Sequence, residues 1–109
     1  MSKTTTLLVL ALAAVLEAGG DALIRAGLRY PAGATRAALF GMGALVLFSY
    51  GWTVNAPPWN FGRLLGVYVV LFFAIAQAIS SLVFQEPLSR QVLAGGALIV
   101  AGGLVIAVG

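Results

Sequence analysis

Residues 7–28 read Leu7-Leu8-Val9-Leu10-Ala11-Leu12-Ala13-Ala14-Val15-Leu16-Glu17-Ala18-Gly19-Gly20-Asp21-Ala22-Leu23-Ile24-Arg25-Ala26-Gly27-Leu28. Only Glu17, Asp21 and Arg25 carry charge, and every other position is Leu, Ala, Val, Ile or Gly. An α-helix needs about 20 mostly apolar residues to cross the hydrocarbon of a bilayer. The stretch therefore predicts a transmembrane helix over 5–28. It runs on through Glu17 without a clear cleavage site, so it reads as a span and not as a removable signal peptide.

Outward from this helix the same pattern repeats. Arg29-Tyr30-Pro31-Ala32-Gly33-Ala34-Thr35-Arg36 is a loop by its Pro, Gly and two Arg. A second span is expected over 37–54. It is stopped by Asn55-Ala56-Pro57-Pro58, because proline lacks the amide hydrogen a helix needs and restricts the residue before it. Trp52 and Trp59 flank that stop, as aromatic anchors at a membrane interface do. A third span is expected over 63–84, a tight turn over 85–90, and a fourth span over 91–108. The expected fold is thus all-α integral membrane, a single four-helix transmembrane domain over residues 1–109.

Composition points the same way. Hydrophobic residues make up 61% of the 109 and charged residues 8%, against roughly 25% charged in a soluble domain. A soluble chain this short could not hide that much apolar surface, so lipid is the first expected partner. The six basic residues are scattered and form no block that would grip phosphates, which argues against nucleic acid. There is no Cys and no His, so no thiolate chemistry, metal site or cofactor is expected, and any proton carried must ride on a carboxylate. No nucleophile with an evident base is present, so an enzyme is not expected. Lys3 and Arg63 fall on the N-terminal side, and Arg25, Arg29, Arg36 and Arg90 on the other. The positive-inside rule favours the second side as cytoplasmic, but the bias is small enough to allow insertion in both directions.

The candidate chemistry lies on the first helix. Glu17, Asp21 and Arg25 recur every four residues and so share one face, drifting roughly 40° per step. A carboxylate near mid-span must face protein or water, because lipid does not solvate it. Removal from water favours the neutral, proton-bearing form of a carboxyl, so such a group can hold a proton or a cation but not both tightly. The competing structural reading pairs Asp21 with Arg25 and lets Arg63 neutralise a further acid, making the stripe a neutral network. Gly19 and Gly20 beside the stripe allow close approach of a helix or a ligand. Tyr68, Phe72 and Gln77 on the third helix are candidates for lining a cavity, with aromatic faces that attract cations. The fourth helix carries Gly95 with Gly102 and Gly96 with Gly103, each pair two turns apart. With no polar group in its interior, it is expected to serve helix association. Four helices enclose a solute poorly, so a dimer is expected.

Taken in order, these features resemble the small multidrug resistance family of the drug/metabolite transporter superfamily. Glu17, Gly20 and Arg25 match its first helix. Phe84-Gln85-Glu86-Pro87-Leu88-Ser89 looks like its Phe-Gly-Glu-Pro-Leu-Ser turn, and residues 95–102 look like its glycine-bearing dimerisation segment. The chain departs from the family in the third helix, where Leu65 and Tyr68 stand in place of a Tyr and a Trp, and in Asp21, which adds a second acid. Gly62-Arg63 followed by Tyr68 resembles instead the start of this helix in YnfA-like proteins, a related branch.

The resemblance implies an antiparallel homodimer, a paralogous four-helix subunit being the alternative partner. It implies a shared site in which Glu17 exchanges protons for a small cationic solute. The expected function is a proton-coupled antiporter of the bacterial inner membrane, with Glu17, Asp21, Tyr68, Gly20 and Arg63 at the substrate and proton site. Gly95, Gly96, Gly102 and Gly103 are expected at the dimer interface. The alternatives are a subunit of a heteromeric lipid-carrier flippase and an accessory or structural membrane protein.

Overall fold

The computed structural model describes residues 1–109 and contains four helices, α1 (Lys3–Leu28), α2 (Ala34–Val54), α3 (Phe61–Leu82) and α4 (Arg90–Val108). Each is long and apolar enough to cross a membrane. The expected spans are present, with ends set by local chemistry. α1 begins two residues early because Ser2 caps it, its hydroxyl accepting from the amide of Thr5 at 3.1 Å. α2 begins at Ala34, inside the expected loop. Gly33 makes the turn with φ 154°, a conformation other residues avoid, and Thr35 and Arg36 then join the first helical turn. α3 stops two residues early because the chain folds back. The amide of Glu86 donates to the carbonyl of Ser80 at 3.0 Å, with Gln85 left-handed at φ 54°. Ser89 caps α4, accepting from the amide of Val92 at 3.1 Å.

The helices form a buckled row in the order α2, α1, α3, α4, within overall extents of 49 × 34 × 19 Å. Two antiparallel hairpins make the row, and glycines zip each of them. In the α1–α2 seam Gly20 lies against Leu47, Gly27 against Phe40, and Gly43 against Ile24 and the carbonyl of Gly20. In the α3–α4 seam Gly66 meets Ile106, Gly96 meets Phe73, and Gly103 meets Val70. Small residues let backbones approach where lipid supplies no hydrophobic drive to associate.

The seam divides the four glycines of α4. Gly96 and Gly103 are buried against α3 of the same chain and are not free to form a dimer face, whereas Gly95 and Gly102 meet no atom. The reason is helical phase: neighbouring residues point about 100° apart, so adjacent glycine pairs lie on different stripes.

The hairpins join along α1 and α3. Leu10, Ala13, Ala14, Val54, Leu64, Val67 and Tyr68 form one buried cluster, where the first half of α1, the end of α2 and the start of α3 converge. That core closes the molecule on the side of the N-terminus. At the same end the guanidinium of Arg63 donates to the carbonyl of Ala107 at 3.0 Å and lies 5.0 Å over the ring of Trp59. The contact satisfies one of the free carbonyls at the end of α4.

Candidate functional site

Glu17 sits near the middle of α1, at the point where the core ends. Its Oε1 accepts a hydrogen bond from the hydroxyl of Tyr68 at 2.7 Å. Tyr68 is 4% exposed and belongs to the core, so packing fixes the phenol and the phenol fixes the carboxylate. Tyr50 of α2 and Phe72 of α3 flank the Tyr68 ring at centroid distances of 5.8 and 6.1 Å. Glu17 is thus held by a phenol that aromatic rings of α2 and α3 brace in turn.

Beyond Glu17, away from the core, α1 and α3 diverge around a cleft of about 250 Å³. Ala18, Asp21, Ala22 and Arg25 line it from α1, and Phe72, Ala76, Ile79 and Ser80 from α3. Phe84 and Glu86 of the following turn stand at its far end. Two members of the charged stripe, Asp21 and Arg25, therefore stand on one wall, about 6 Å apart along the helix, with Glu17 one turn before them. The small residues Ala18, Ala22 and Ala76 leave the space open.

The charges in the cleft are not paired as their spacing predicts. Arg25 binds Glu86 at 3.1 Å and not Asp21. Glu86 is also held by the hydroxyl of Ser80, which donates to its other carboxylate oxygen at 2.8 Å. The rings and cations at this mouth stack: Arg25 and Arg29 lie 5.3 and 5.8 Å over Phe84. Asp21 takes part in no ion pair and no side-chain hydrogen bond. The neutral network of Glu17, Asp21, Arg25 and Arg63 is not formed, because Arg25 and Arg63 have other partners.

Of the five expected site residues, the structure brings together Glu17 and Tyr68, and sets Asp21 one turn further along the same face. Gly20 is on the same helix but faces α2, where Leu47 covers it. Arg63 is at the closed end, bound to Ala107. Phe72 faces the cleft. Gln77 does not, and instead lines a separate apolar groove of about 560 Å³ between α3 and α4. No three acidic side chains gather as metal ligands would.

A search for relatives finds a UPF0060 membrane protein of Herpetosiphon aurantiacus, 32% identical over 98 residues. The alignment covers 87% of this chain and 86% of that protein. The chain belongs to the UPF0060 membrane protein family. No family model matches it, and no solved structure does. UPF0060 membership, together with four apolar helices, makes this a multi-pass membrane protein in contact with the lipid bilayer. It agrees with the YnfA-like start of α3 and stops short of the small multidrug resistance family itself.

Two members of the site in this UPF0060 chain were not foreseen. Glu86 stood out only as part of a turn motif, yet it decides where Arg25 goes. Tyr50 gave no signal beyond being a phenol inside an apolar span. Its placement beside Tyr68 depends on the buckle of the helix row.

Proposed function

We propose that this chain is one half of a dimeric, proton-coupled exporter of small cationic compounds in the bacterial inner membrane. One observation carries the reading. A carboxylate near the middle of an apolar span is hydrogen-bonded to a core tyrosine, and one turn further along the same helix a second, unpaired carboxylate lines an open cleft. Glu17 holds either a proton or a cation, because both compete for the same oxygens. Tyr68 keeps those oxygens aimed whichever one is bound. Asp21, with Phe72 and Phe84, lines the approach that a cation takes to Glu17.

The open cleft is also the argument for a second copy. A single row of helices leaves Asp21 exposed on the flank of α1, and within a bilayer an acid must face protein or water. A second copy laid over the cleft excludes lipid and gives the site two sets of carboxylates. Insertion of the two copies in opposite directions, which the small loop-charge bias allows, places one cleft open to each side.

The test uses purified protein in vesicles. Uptake of a quaternary ammonium compound is expected to follow an imposed pH gradient and to be lost in Glu17→Gln. Unchanged transport by that variant would overturn the mechanism.

A further inference from the structure

Arg25 has two acids within reach and occupies one. It follows Asp21 by four residues on α1, the spacing and order in which an acid and a base on one helix meet. Yet its guanidinium lies on Glu86, through a single contact of 3.1 Å from one nitrogen to one oxygen. A guanidinium fork held by two bonds is the strong form of this pair, and this one is not so held. Both side chains are about half exposed, at 49% and 46%, where ion pairs are weak. Glu86 itself is anchored by Ser80, so Arg25 is the partner free to move. Phe84 lies beneath Arg25 at 5.3 Å and beneath Arg29 at 5.8 Å, an aromatic face that holds a guanidinium without fixing its hydrogen-bond partner. Arg25, Asp21 and Glu86 all line the same cleft.

We propose that Arg25 is a built-in competitor for the cation position at Asp21, held off by Glu86 at the mouth of the cleft. With Arg25 on Glu86, Asp21 is bare and takes a solute cation. When the Glu86 contact breaks, Arg25 turns back to Asp21, neutralises it and displaces the solute. The Arg25–Glu86 pair is then a latch that sets how strongly the cleft holds its cargo. The displacing cation is carried by the protein, so release needs no proton at Asp21. This inference rests on the cation-binding reading above, but its first test needs no cation.

In wild type, Asp21→Asn is expected to leave the melting temperature almost unchanged, since Asp21 has no partner. In a Glu86→Gln background the same change is expected to lower it, because Arg25 has by then moved to Asp21. Equal effects of Asp21→Asn in the two backgrounds overturn the exchange. If Glu86→Gln does not fold, Ser80→Ala loosens Glu86 while keeping its charge, and the same comparison applies.

The second test measures tetramethylammonium binding to the full chain in nanodiscs. Glu86→Gln is expected to weaken binding by up to about 2-fold, the scale of an intrahelical ion pair. Adding Arg25→Gln is expected to restore it to or above the wild-type level. A double variant as weak as Glu86→Gln alone overturns the competitor role. Wild-type protein that binds no tetramethylammonium sinks the exporter reading instead, and leaves the melting comparison to decide on Arg25.

Discussion

Replacing Gly96 with alanine places a Cβ 2.6 Å from Cε1 of Phe73, and the same change at Gly103 drives a methyl into Val70. Carbon atoms rest at about 3.5–4.0 Å, so at Gly96 the deficit is roughly 1 Å. The Phe73 ring is partly buried and borders the α3–α4 groove, so its tip must swing toward that groove or α4 must retreat. Overpacking of this size costs about 1–3 kcal/mol. Gly95 and Gly102 lie on the adjacent stripe and meet nothing. Alanine there is expected to leave the monomer intact, with at most about 1 kcal/mol of gain from helix propensity. The two stripes should therefore separate in two assays. Unfolding in mixed micelles at low protein concentration should show Gly96→Ala and Gly103→Ala destabilised and Gly95→Ala and Gly102→Ala not. Energy transfer between labelled copies in vesicles should respond chiefly to larger residues at Gly95 and Gly102. Equal destabilisation of dilute protein by Gly102→Ala and Gly103→Ala would refute the assignment of one stripe to α3 and the other to the free face.

Tyr68→Phe removes the donor to Glu17 and is expected to lose about 1.5–3 kcal/mol, the range for hydrogen bonds to charged groups. A double-mutant cycle with Glu17→Gln should return a coupling energy well above zero, and additive effects would deny the contact. Gln85 holds φ 54° at a position where glycine has no steric penalty. Gln85→Gly is expected to raise stability by up to about 1 kcal/mol in a thermal melt, and a fall would contradict the turn. The hydroxyl of Thr6 is fully buried with no partner. Thr6→Val, close in shape, is expected to stabilise the core by about 1 kcal/mol in the same measurement; a loss of that size would show that the hydroxyl is satisfied.

Reading along the chain finds what is periodic and misses what is far apart in sequence. The four spans follow from apolar runs broken at Gly33, at Pro57-Pro58 and at Glu86-Pro87, since each helix satisfies its own backbone and needs no knowledge of its neighbours. The face shared by Glu17, Asp21 and Arg25 follows from helical geometry alone. Tyr68 was found through its place on α3, and the structure supplies its partner. Arg25 shows the limit. Local spacing favours Asp21, but the turn after α3 brings in Glu86, 61 residues away. Arg63 was grouped with the acids by charge, and its position at the start of α3 sends it to the end of α4. The glycines of α4 have a period that any reader can see, but period does not say which stripe meets α3.

The row of helices is 19 Å across its thinnest direction, and that flatness bears on how the two copies of the proposed dimer would meet. A protein held at fixed depth and fixed tilt can only drift sideways and spin about the membrane normal. Most of the rigid-body freedom that two soluble proteins lose on docking is already gone. A broad flank carried on such a spinning slab sweeps past every neighbour in the same plane. For the proposed dimer, the area of contact needed to hold two copies together is therefore smaller than the same pair would need in water.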